Sequence, residues 1–130
     1  MHPEILRPQR IEDLDRLLAQ TSERPLLLFK HSLTCGTSAE ALDELIDHLN
    51  EDTLDAHYAI VTVQSHRELS NAVAARLGIR HETPQALLIR DGRVIWSASH
   101  FRVTAAAVQS AIRWHAITSN QTKSVADAGR

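Results

Sequence analysis

The sequence predicts an α/β fold: one domain with a central mixed sheet of four strands flanked by helices. Three observations lead there. Short apolar runs alternate with amphipathic stretches at helical spacing. A strand, a helix and a second strand succeed one another, which within one sheet implies a right-handed parallel crossover. An Asp-Gly pair at 91–92 joins two further apolar runs as an antiparallel hairpin. The chain length of 130 residues suits a single core, and 43% apolar with 23% charged side chains is ordinary for a folded protein. The domain is expected over residues 1–117. Residues 118–130, polar and weakly periodic, are expected to form a flexible tail.

The elements follow in order. Ile11, Leu14, Leu17 and Leu18 fall on one helical face, with acids early and Arg16 late, as the helix dipole favours. Pro25 closes a polar link, and Leu26-Leu27-Leu28-Phe29 is a continuous apolar run of the kind buried on both faces of a sheet. Beyond the segment from Lys30 to Thr34, Leu42, Leu45, Ile46 and Leu49 line one face of a helix, while Glu40, Asp43, Glu44 and Asp47 stripe the other. Ala59-Ile60-Val61-Thr62-Val63 is β-branched and apolar, hence a strand. Leu69, Ala72, Val73 and Leu77 repeat at helical spacing up to Gly78, which fits a C-terminal cap. Ala86-Leu87-Leu88-Ile89 and Val94-Ile95-Trp96 form the hairpin. Thr104 is an N-cap for a last helix that buries Val108 and Ile112 and runs to about His115.

Composition also excludes classes of function. Fourteen basic against sixteen acidic side chains leave a formal charge of −2, so no global field draws in phosphate backbones or anionic lipid, and neither nucleic acid nor membrane is expected as a partner. The start Met1-His2-Pro3-Glu4 lacks the features of a secretory signal, and one cysteine forms no internal disulfide. Both point to a reducing cytoplasm. The eight histidines include no pair at i, i+3 or i, i+4, so no metal is expected. No nucleophile elbow or Gly-rich phosphate loop is present.

Cys35 carries the chemistry. It lies between the first sheet strand and the following helix, where a parallel strand delivers the chain to free backbone N–H groups and the positive end of a helix dipole. Two helix starts are open: Thr34 as N-cap with Cys35 as the first helical residue, or a capping box Thr37-x-x-Glu40 one turn later. A thiol in such surroundings ionises more readily than a free one, from about 8.5 to between roughly 3.5 and 7.5. Lower pKa weakens the attacking sulfur but improves it as a leaving group, which suits a residue that accepts a disulfide and passes it on. The competing reading is a buried structural thiol. Lys30 and His31 stand close enough to tune Cys35, although a solvated strand end accounts for them equally well. Thr83-Pro84 precedes a hairpin strand, where proline enters a sheet only at its first residue or an edge. It is either an ordinary turn proline or a cis-proline whose backbone pairs with an extended thiol-bearing substrate.

The order of elements and Cys35-Gly36-Thr37-Ser38 at the first strand-to-helix junction resemble the thioredoxin superfamily, with Ser38 in place of the resolving cysteine of Cys-x-x-Cys. Gly78-Ile79-Arg80, Pro84 and Asp91-Gly92-Arg93 resemble that superfamily's cis-proline segment and final hairpin. More closely, Phe29-Lys30-His31-Ser32-x-x-Cys35-x-x-Ser38, His81-Glu82-Thr83-Pro84-Gln85-Ala86 and Ser97-Ala98-Ser99-His100-Phe101-x-Val103-Thr104 resemble the monothiol bacilliredoxins. The resemblance covers roughly residues 11 to 115. It implies a thioredoxin-like fold and a thiol–disulfide oxidoreductase that removes bacillithiol from S-bacillithiolated proteins. Cys35 would be the nucleophile, with Ser38, Thr83 and Pro84 binding substrate.

Bacillithiol would then be a thiol co-substrate, with no tightly bound cofactor, and a second bacillithiol or a partner dithiol reductase would regenerate the enzyme. Superfamily members keep a buried acid beneath the cysteine. The matching strand here is Leu26-Leu27-Leu28-Phe29, which leaves solvent, Lys30 or His31 to move the proton. Gly36 also gives a likeness to the Cys-Gly-Phe-Ser of monothiol glutaredoxins, carriers of glutathione and iron–sulfur clusters, although Arg90-Asp91-Gly92-Arg93 stands where their Gly-Gly-x-Asp is expected. A non-catalytic thioredoxin-like adaptor is the third class.

Overall fold

Five strands rather than four build the sheet in the computed structural model, which describes residues 5–51 and 56–115. In chain order the elements are β1 (Ile5–Leu6), α1 (Ile11–Ala19), β2 (Leu26–His31), α2 (Gly36–Glu51), β3 (His57–Thr62), α3 (Arg67–Leu77), β4 (Gln85–Arg90), β5 (Arg93–Ser99) and α4 (105–115). The strands lie in the order β1-β3-β2-β4-β5. β2 runs parallel to β3 and antiparallel to β4, so the sheet is mixed. The unexpected strand is β1, whose two residues pair with Tyr58 and Ala59 of β3. Two residues cannot display a period, and Arg7-Pro8 follows at once, so the sequence pattern carries no sign of it. The tail expected over 118–130 lies outside the described residues.

Alternation along β2 divides the core. Leu27 and Phe29 face a cluster with Ala41 and Leu45 of α2 and Val108 and Ile112 of α4. Leu26 and Leu28 face a second cluster with Leu14 of α1 and Leu69 and Val73 of α3. All six residues of β2 are buried, as a central strand covered on both faces requires. The strand also runs two residues beyond the apolar run. Lys30 is 0% exposed and His31 9%, which corrects the reading of these two as a solvated strand end.

Turn chemistry sets the connections. Asp91 and Gly92 have φ of 53° and 73°, the left-handed pair that a two-residue hairpin needs. Thr21, buried in the short 3₁₀ turn Gln20–Ser22, holds that hairpin: its carbonyl accepts from Asp91 N–H at 3.1 Å and its hydroxyl from Gly92 N–H at 2.9 Å. Gly78 caps α3 with φ 61°. Thr104 caps α4 by accepting from the Ala107 N–H at 3.1 Å.

Candidate functional site

Register brings four chain segments to one edge of the sheet. His31 pairs with Thr62, Lys30 with Gln85, and Gln85 with Ser99. The exits of β2, β3 and β5 and the entry of β4 therefore stand side by side. They carry the Cys35 turn, the Gln64 loop, a 3₁₀ turn at His100–Arg102 and the Thr83-Pro84 segment.

Cys35 is partly exposed and precedes the first helical residue, Gly36. Its carbonyl accepts from the Ala39 N–H at 3.1 Å, and its own N–H closes a turn onto the Ser32 carbonyl at 3.4 Å. Cys35 is thus itself the N-cap, which replaces both helix starts considered from sequence. This places its side chain where the first N–H groups of α2 have no helical partner. Its exposure sets aside the buried structural thiol.

Beneath the turn, His31, Ser32 and Ser38 join in a hydrogen-bonded network. Ser38 is 0% exposed; its hydroxyl accepts from the Ser32 N–H at 3.0 Å and lies 2.8 Å from His31 Nδ1. The buried hydroxyl of Ser38 therefore holds the turn. Gln64, from the β3–α3 loop, clamps the same turn from the side. Its Oε1 accepts from the Leu33 N–H at 3.0 Å, and its Nε2 donates to Ser32 Oγ at 2.9 Å. Burial, then the positive charge of Arg7, push the His31 pKa below its usual value, against a smaller pull from Asp43, so the imidazole is held neutral. Phe29 packs beside it, with ring centroids 6.1 Å apart.

Lys30 takes the other face. Its Nζ reaches 2.9 Å from Nδ1 of His81, in the loop before Pro84, and burial pushes its pKa down to about 8. Sequence placed both Lys30 and His31 near Cys35; the structure gives His31 to the α2 side and Lys30 to the α3 side. His81 and Gln64 were missed because each acts through a partner remote in sequence.

The Thr83–Pro84 peptide is cis, and the Pro84 carbonyl accepts from the His100 N–H at 2.9 Å. Pro84 is buried and Thr83 partly so. Next to this bond opens a cavity of about 390 Å³ bordered by Glu82, Ser97, Ser99, His100, Phe101 and Arg102. His100 has φ 58°, a conformation uncommon outside glycine, and Phe101 is 79% exposed. Among the described residues no group of three His, Cys, Asp or Glu side chains could hold a metal ion, and no helix is long and apolar enough to cross a membrane.

A partly exposed cysteine capping a helix, at the sheet edge that also carries a cis-proline, defines a thiol–disulfide oxidoreductase of thioredoxin fold. Solved structures bear out the fold. A candidate oxidoreductase with a thioredoxin fold superposes with TM-score 0.72 at 26% identity, covering 82% of this chain and 92% of its own. Thioredoxin of Fasciola hepatica gives 0.63 at 17%, covering 85% and 98%, and a mutant thioredoxin of Halobacterium salinarum 0.65 at 24%, covering 86% and 91%. The family model described as monothiol bacilliredoxin BrxC matches residues 8–108, and the chain belongs to that family.

Proposed function

We propose that the protein removes bacillithiol from S-bacillithiolated proteins by exchange at Cys35. The observation that carries this reading is the placement of the chain's one cysteine: partly exposed, at the cap of α2, on the edge shared with cis-Pro84, in a member of the monothiol bacilliredoxin family. The Cys35 thiolate attacks the bacillithiol sulfur of a mixed disulfide. A Cys35–bacillithiol disulfide forms as the client's S–S bond breaks, and the client leaves as a thiolate that takes a proton from water. A second bacillithiol, or a partner dithiol reductase, then attacks the adduct and restores Cys35. Ser38 has no sulfur, so no internal disulfide resolves the adduct.

The backbone at Thr83-Pro84, just before β4, is the docking edge for the client segment. The adjoining cavity, with Arg102 and two serine hydroxyls at its border, suits the carboxylate- and hydroxyl-bearing part of bacillithiol. No tightly bound cofactor enters these steps. Exchange of this kind belongs in a reducing cytoplasm.

The test is intact-mass kinetics of the reduced chain with bacillithiol disulfide and, separately, glutathione disulfide, followed by release of bacillithiol from a modified client. Rapid bacillithiol adduct formation, lost in Cys35→Ala, is the expected result. A preference for glutathione transfers the assignment to a glutaredoxin-like carrier, and a Cys35 inert to both leaves an adaptor.

A further inference from the structure

Lys30 is the one fully buried charged side chain among the described residues, and the exchange chemistry above makes no use of it. Its position is an expensive one. An ammonium taken out of water costs several kcal/mol unless it is paired, and the partner here is an imidazole rather than a carboxylate. A methionine would fill the same space at the centre of the sheet without that cost. The partner explains the choice: His81 lies three residues before cis-Pro84, and the contact spans 51 positions in sequence, from the middle strand to the docking edge.

We propose that Lys30 and His81 form a positioning pair for thiol exchange, the buried ammonium donating to the neutral imidazole and so fixing the Thr83-Pro84 backbone at the height where a client segment must lie against Cys35. The inference rests on the exchange reading above.

An ammonium has donors only, so His81 must present a bare Nδ1 and carry its proton on Nε2. Three further observations support the geometry. His81 is exposed as a residue, yet partial desolvation of its ring first, then the charges of Lys30 and Arg67, keep it below the usual histidine pKa, while Glu82 pulls the other way; the ring therefore favours the accepting state. Ser70 of α3, itself buried, approaches the same Nδ1 at 3.5 Å, which backs the ring from the helix side. On the sheet, Gln85 stands opposite Lys30 and its Nε2 donates to the Arg80 carbonyl at 2.9 Å, so the residues on both sides of His81-Glu82-Thr83-Pro84 are tied to the same face. The loop is anchored at its base by Gln85 and at its middle by Lys30.

The experiment compares wild type, Lys30→Met, His81→Phe, the double variant and His81→Gln, which keeps an acceptor. Each is assayed with a bacillithiolated client peptide, with iodoacetamide as a probe of Cys35 alone, and by ¹⁵N NMR titration of the histidine rings. The expected result is a KM for the peptide about tenfold higher in Lys30→Met and His81→Phe, with kcat and the alkylation rate within twofold of wild type. The double variant should be no worse than either single one, and His81→Gln should recover most of the loss. In the spectra, His81 should show an unprotonated Nδ1 at neutral pH, and Lys30→Met should move its titration upward.

If wild type exchanges normally and KM rises less than twofold in both single variants, or if His81 titrates identically with and without Lys30, the pair is scaffold only and the proposal falls. If wild type transfers no bacillithiol at all, the exchange reading fails instead. The NMR arm, read without substrate, still decides whether the coupling exists.

Discussion

Replacing Lys30 by methionine tests the energetics of the buried ammonium directly. The native side chain titrates near 8 instead of its ordinary 10.5 because burial penalises the charged form. Between those two pH values the unfolded chain holds a proton at this position that the native chain has already released. Native stability therefore rises with pH across the window. At ~1.4 kcal/mol for each pH unit the whole window is worth about 3 kcal/mol. Most of that, roughly 2 to 3 kcal/mol, is expressed by pH 10.

Methionine does not titrate, so the effect appears as a change in the stability difference between the two proteins, in which the groups that Lys30 does not touch cancel. At pH 7 Lys30→Met sheds the desolvation penalty but loses a charged hydrogen bond worth about 1.5–3 kcal/mol, and it should match or modestly exceed wild type. By pH 10 wild type should have gained roughly 2 to 3 kcal/mol on it. Urea unfolding of both proteins at pH 7, 8, 9 and 10, followed by circular dichroism, gives the comparison. A difference that stays constant within about 0.5 kcal/mol would show that Lys30 carries an ordinary, solvated ammonium and would refute the reasoning.

Ser38→Ala strands the buried Ser32 N–H and removes the partner of His31, so unfolding at pH 7 should cost about 1–3 kcal/mol less than in wild type. Gln64→Ala removes an exposed hydrogen bond to the Leu33 N–H; stability should fall by less than about 1 kcal/mol, while amide exchange at Leu33 accelerates at least several-fold. Gly92→Ala forces φ 73° on a side-chain-bearing residue and should destabilise the hairpin by about 1 kcal/mol, read as a lower Tm with exchange activity retained. Arg102→Ser should leave Tm unchanged and raise KM for the anionic bacillithiol disulfide but not for a neutral disulfide, and added salt should shrink the difference in wild type.

Hydropathy periods located every long element to within a few residues because each is covered by apolar packing whose repeat is imposed by the element itself. The hairpin was legible for a different reason: Asp91-Gly92 has a backbone requirement that few other pairs meet. What stayed hidden shares one property. The strand β1 draws its place from pairing with β3, Thr21 from the hairpin 71 positions away, Gln64 from the turn it clamps, and His81 from a lysine 51 positions earlier. Each owes its role to a neighbour across the fold, and a polar side chain leaves no period behind. The location of Cys35 was legible from topology, whereas its identity as the cap was not, because Thr34 and Thr37 are both better cap formers by type. In the fold the turn is set by Ser38 and Gln64, and the cap falls to the residue they leave at the junction.

The same alternation that hides these roles organises the site. Successive residues of a strand point to opposite faces, so Lys30 and His31, adjacent in sequence, reach the two sides of the sheet edge. His31 supports the cysteine turn through Ser38 on the α2 side, and Lys30 reaches the loop before Pro84 through His81 on the α3 side. One strand end thus holds the cysteine turn and the Thr83-Pro84 segment in fixed relation, with no flexible loop between the two supports. Exchange between sulfurs demands near-linear approach along the bond that breaks, and an error of an ångström in relative height is costly. Inserting or deleting one residue in β2 would exchange the two faces, sending an imidazole toward His81 and an ammonium toward Ser38. The imidazole is shorter than the lysine chain it would replace, and the ammonium would carry a charge into a site that holds a neutral ring. The pair is therefore constrained as a unit by the strand's period, and swapping the two residues, Lys30→His with His31→Lys, should lower Tm and raise KM for the client peptide at least as much as Lys30→Met does, even though composition, charge and the position of Cys35 are all preserved.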